Sequence, residues 1–72
     1  MKKYSYFIRI EGLNFDRFFN ELKKQNIKIF NISRPNYKTC EFGLTFADYH
    51  KIKKQKLLKN FKTTVLKTYN LG

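Results

Sequence analysis

The sequence predicts an α+β fold: a four-stranded antiparallel sheet carrying two helices on one of its faces. Three observations support this. Residues 4–10 and 40–46 alternate apolar and polar side chains with the period of two that marks a half-buried strand. Phe15, Phe18, Phe19 and Leu22 recur at helical spacing instead, forming one apolar stripe. The remaining segments complete the order β-α-β-β-α-β, a split βαβ arrangement.

The elements follow in order. In the first strand, Tyr6, Ile8 and Ile10 point one way and Phe7, Arg9 and Glu11 the other, and Gly12 ends it. Asn14 is placed to cap a helix, Asp16 lies in the first turn where the helix dipole favours a carboxylate, and Leu13 and Phe18 occupy the positions of a hydrophobic staple. Lys23 and Lys24 suit the last turn, and Asn26 can take the left-handed stop. Residues 27–32, β-branched and aromatic, predict a second strand, and residues 33–38 carry turn chemistry. Cys40, Phe42, Leu44 and Phe46 then share the core face of a third strand, leaving Glu41, Gly43 and Thr45 on the open face. Asp48 is read as the cap of a second helix, with Tyr49, Ile52, Leu57 and Phe61 on a loose apolar face, Leu58 off it and a break near Gln55. Residues 63–69 close the sheet. The arrangement is ferredoxin-like, and residues 1–72 form a single domain.

Composition narrows the function. A chain of 72 residues buries a small core, and Cys40 is the lone cysteine, so no internal disulfide can help and a reducing, cytoplasmic setting is expected. Eight Phe and five Tyr supply the bulk instead. With 16 basic and 5 acidic residues the net charge is +11, which attracts polyanions. The basic residues are mostly Lys, whereas bidentate phosphate grip favours Arg, and Lys, Asn, Ile, Phe and Tyr all have A/T-rich codons. Selection for a polyanion and genomic base bias both explain the excess. No run of about 18 apolar residues is present, and Met1-Lys2-Lys3 is followed by no uninterrupted apolar stretch, which argues against a signal peptide.

Reactive chemistry is not written in the residues. His50 is the only histidine, and its spacing from Asp48 does not put the two on one helix face. Cys40 points inward from its strand. One His and one Cys cannot fill a four-ligand zinc site in one chain, and no Gly-rich phosphate loop is present. Glu11, Asp16, Glu21, Glu41 and Asp48 are better placed to pair with surplus lysines than to act as acid and base. A non-catalytic protein without cofactor, metal or small-molecule substrate is expected. RNA-recognition domains stack bases on aromatics of their central strands, but here only Phe7 is expected on the open face.

Several runs resemble the N-terminal region of the YqfD family of bacterial sporulation proteins. They are Ile8-Arg9-Ile10-Glu11-Gly12, then Phe15 with Phe18-Phe19-Asn20-Glu21-Leu22, then Asn26-Ile27-Lys28-Ile29-Phe30-Asn31-Ile32-Ser33-Arg34. Phe42 to Phe46, Asp48, the lysine-rich helix and a basic closing strand continue the likeness, which covers residues 6–67. The resemblance implies a membrane-associated protein needed for spore formation, without established enzyme activity, whose members continue into hydrophobic segments. Such a chain would be either an excised part of the longer protein or a stand-alone relative, and an anchored one would hold this basic region at the cytoplasmic face of the membrane. A second resemblance, through Gly12 and Asn26-Ile27-Lys28-Ile29, is to ACT-type regulatory domains, which bind small effectors near the turn formed here by residues 11–15; their usual Pro-Gly is absent.

The leading expectation is an interaction and assembly module. Lys51, Lys53, Lys54, Lys56 and Lys59 are expected to meet an anionic surface such as a membrane leaflet. Arg34, Tyr37 and Lys38 are expected to touch a partner, either other protein subunits or the protein's own membrane segments. A nucleic-acid binder using electrostatics alone and an ACT-like ligand sensor are the alternatives.

Overall fold

The computed structural model describes residues 4–70. Its elements are β1 (Tyr4–Glu11), α1 (Phe15–Lys24), β2 (Phe30–Asn36), β3 (Thr39–Thr45), α2 (Phe46–Lys54) and β4 (Lys62–Asn70). The strands form one antiparallel sheet in the order β2-β3-β1-β4, so β1 and β3 are central. Both helices pack on one face of it, and the ferredoxin-like order predicted from the sequence is the order observed. The basic start at Met1-Lys2-Lys3 lies outside the described residues.

The core lies between that face and the helices. Ile8 and Ile10 from β1, Cys40, Phe42 and Leu44 from β3, and Ile52 from α2 are fully enclosed, and Phe15, Phe18 and Leu22 from α1 close over them. Aromatic rings dominate one end: Phe61 stacks on Phe15 at 5.3 Å and meets Phe18 edge-on at 5.4 Å, while Phe18 and Phe19 both lean on Phe42. Gly12 is needed for this, because a Cβ there would sit 2.6 Å from the Phe61 ring. The β1–β3 ladder is regular, pairing Ser5 with Thr45 through to Glu11 with Thr39.

Both helices end in the same motif. In α1, the Ile27 N–H donates to the Leu22 carbonyl and the Asn26 N–H to that of Lys23, with Asn26 at φ 59°. In α2, Leu57 donates to Ile52 and Lys56 to Lys53, with Lys56 at φ 61°. This pairing satisfies the last carbonyls and turns the chain back towards the core. The two helix ends are tied together by Gln25 and Gln55, whose side-chain amides exchange hydrogen bonds at 2.5 and 2.9 Å.

Several sequence expectations are corrected. The second strand occupies residues 30–36 rather than 27–32, since Ile27 is used to close α1 (7% exposed) and pairing begins only where Phe30 meets Gly43. The hairpin turn is therefore just Tyr37 and Lys38, held by an Asn36 Oδ1 that accepts from the Lys38 N–H at 2.9 Å. Asn14 precedes α1 as expected but sits at φ 65° and makes no side-chain cap. Thr45, not Asp48, caps α2: its Oγ1 accepts from the Asp48 N–H at 3.2 Å, placing Asp48 in the first turn. Phe46 consequently leaves β3 and opens the helix, outside the core. Leu58 lies in the core while Leu57 is only partly buried, because the Lys56 turn redirects the chain after Ile52.

β2 is an edge strand exposed along its whole length, and its ladder with β3 is broken by two register shifts. Asn31, at φ 53°, lies within the first, and Pro35 within the second. Proline is tolerated on an edge because no neighbouring strand needs its missing N–H.

Candidate functional site

Four features of the surface bear on function. The first is the lysine array. Lys51, Lys53 and Lys54 lie on α2, while Lys56 and Lys59 lie in the turn that follows it, and all five are exposed. Successive helix residues are about 100° apart, so with Tyr49 and Ile52 facing the core, Lys51 and Lys54 project outward. Lys53 lies on the flank, its Nζ 5.9 Å from the centroid of the Tyr49 ring. No carboxylate interrupts residues 49–62.

The second is the β2–β3 hairpin. The turn presents Tyr37, 73% exposed, with Lys38 Nζ 5.5 Å from its ring centroid. Arg34 is separate from this pair: its guanidinium lies 5.1 Å from the Phe15 centroid, over α1. The three residues expected to act together are thus divided between the turn and the helix side of the sheet.

The third is a cleft of about 790 Å³ between the start of α1 and the α2–β4 turn. Arg17, Lys56 and Lys59 supply positive charge there, Glu21 the opposing one, and Asn14 and Asn60 their amides. It opens beside Gly12 and Leu13, in the turn between β1 and α1.

The fourth is the open face of the sheet. Register places Phe7, Arg9 and Glu11 of β1 on it, with Glu41 and Gly43 of β3. Arg9 Nε donates to Glu41 Oε2 at 2.8 Å, a cross-strand pair that is partly exposed. Phe30, in register with Gly43, lays its ring where a β3 side chain would otherwise stand; any Cβ on Gly43 would collide with it. Sequence reasoning missed this ring because it set Phe30 in the middle of a strand ending at residue 32. The available signal was a glycine in the middle of an otherwise well-formed strand, which marks a close approach.

The Cys40 thiol is fully buried, and desolvation raises its pKa despite the opposing effect of Arg34, so it stays protonated and enclosed. His50 is exposed within an aromatic group, 4.2 Å from the Phe46 ring and 5.5 Å from Tyr49, centroid to centroid. Among the described residues, no three of His, Cys, Asp and Glu are grouped as metal ligands.

A family model described as putative stage IV sporulation protein YqfD matches residues 2–71. The chain belongs to the YqfD family. The match extends beyond the residues that carried the resemblance, at both ends, and connects the protein with sporulation. Comparison with curated proteins and with solved structures returned no match. For this YqfD-family chain, among the described residues, no helix is long and apolar enough to cross a membrane.

Proposed function

We propose that this YqfD-family chain is a non-catalytic interaction module of a sporulation protein, held against the anionic cytoplasmic face of a membrane by α2 and the turn after it. The observation that supports this is the acid-free array of Lys51, Lys53, Lys54, Lys56 and Lys59, all of them exposed on α2 or in the turn that follows it. Lysines near an anionic leaflet each add about 1 kcal/mol of attraction, lost beyond a Debye length. The Tyr37–Lys38 turn, remote in sequence from the array, is the proposed contact for a protein partner, whether another subunit or the protein's own membrane segments.

Sedimentation with lipid vesicles tests the reading. The chain should pellet with phosphatidylcholine vesicles containing phosphatidylserine and stay in solution with phosphatidylcholine alone. Added salt should release it. Replacing Lys51 and Lys54 by Gln should weaken binding by about 2 kcal/mol, more than tenfold. Equal binding to charged and neutral vesicles, or no loss in that variant, would remove the membrane surface as the partner.

A further inference from the structure

The open face of the sheet, on the side away from the helices, has a second character. Register and packing assign three aromatic residues to it. Phe7 is on the central strand β1, half-buried. Phe30 rises from β2 but lies over Gly43 of β3, directly opposite Phe7 in the ladder. Its ring therefore occupies the neighbouring strand's place, about 4.8 Å across. Tyr69 comes from β4, in register with Ser5, one step along β1 on the same face as Phe7. Phe30 and Tyr69 remain 37% and 38% exposed, so part of each ring is open to an incoming ligand.

Charge on this face is unevenly placed. Its two carboxylates, Glu11 and Glu41, are at one end, where Arg9 neutralises Glu41 at 2.8 Å and Lys62 stands opposite Glu11. The aromatic end has none: Lys67 is the register partner of Phe7, and Ser5, Thr45 and Gly43 fill the spaces between. A second copy of the chain is a poor occupant, since each brings a net charge of +11. A lipid surface would leave the hydroxyls and the Arg9–Glu41 pair facing hydrocarbon. A strand of unpaired bases matches both features, because every base has a π-face to stack and every linkage a negative charge.

We propose that the aromatic end of the open sheet face binds single-stranded nucleic acid, stacking bases on Phe7, Phe30 and Tyr69 while Lys67 meets the phosphates. Gly43 acts as a positioning residue, leaving room for the Phe30 ring beside Phe7. The site is on the opposite side of the sheet from the lysine array, so it does not depend on the membrane reading.

Fluorescence anisotropy with a labelled oligouridylate of about ten nucleotides tests it, with a DNA duplex, heparin and phosphatidylserine vesicles as parallel ligands. Single strands should bind tighter than duplex. Phe7→Ala and Phe30→Ala should each weaken oligouridylate binding by about tenfold and leave heparin and vesicle binding unchanged. Gly43→Ala, which alters no charge, should reproduce the Phe30 loss by displacing the ring. Lys67→Ala should lower the salt dependence by about one counterion. Circular dichroism confirms that each variant is folded, and Tyr69→Ala, at an exposed position, provides the same reading if a β1 or β3 variant is not. Equal affinity for oligouridylate, duplex and heparin, or ring variants that bind oligouridylate like the parent, would overturn the proposal. So would loss of oligouridylate binding only on replacing Lys51 and Lys54.

Discussion

The two helices end alike and begin differently. α1 carries a continuous apolar stripe from Phe15 to Leu22 and stops at Asn26, a residue suited to the left-handed conformation. α2 buries only Tyr49 and Ile52, is surrounded by lysines, and stops at Lys56, a residue that is not. At the start the order reverses: Thr45 makes a side-chain cap at 3.2 Å, whereas Asn14 takes the left-handed conformation and makes none. α1 is thus specified by its own sequence. α2 is specified by its cap and by the core that receives Ile52 and, one turn later, Leu58.

The largest effect that would break this comparison concerns the two leucines after α2. Leu58→Ala should cost about 2–4 kcal/mol in urea denaturation, close to Leu22→Ala in α1, because both leave a cavity in the shared core. Leu57→Ala should cost less than half of that, since Leu57 is only partly buried. The reverse ranking would mean that α2 continues past Gln55. Next in size are the caps. Thr45→Ala should destabilise by about 1 kcal/mol through loss of the bond to Asp48. Asn14→Gly should be neutral or slightly stabilising by the same measurement, as no cap is lost and the left-handed backbone suits glycine. The smallest concerns the stops: Lys56→Gly should raise stability by roughly 0.5–1 kcal/mol, and Asn26→Gly by less, because asparagine already tolerates that conformation. Equal gains at the two sites would show that the stops are not distinguished by residue type.

The same contrast explains how much was legible in the sequence. Periodicity exposed β1, α1 and β3 because each has one face fully buried: Ile8 and Ile10, Phe15 to Leu22, Cys40 to Leu44. The order of elements, and with it the sheet, followed. What failed was local. Residues 27–32 have strand-like composition, but Ile27 serves as the apolar residue of a helix stop, a tertiary use that composition does not report. Leu57 and Leu58 are chemically identical neighbours, and which one is inside depends on a positive φ at Lys56 that no residue type announces. Phe46 reads as the next core position of β3 until Thr45 caps the helix and redirects it. For the surface, the five lysines named as a group from the sequence, Lys51, Lys53, Lys54, Lys56 and Lys59, are all exposed. The row formed by Phe30, Phe7 and Tyr69 required knowledge of the cross-strand register, which is set by bulges as well as by pattern.

The irregular outer strand has a consequence for the protein at high concentration. A straight, evenly bonded edge offers a template on which another chain can add a strand, then another, towards amyloid. β2 breaks that template twice: its two register shifts bend the ladder, and Pro35 has no N–H to offer an incoming strand. The bend at Asn31 thus stands as a guard against templated polymerisation, built from backbone geometry alone.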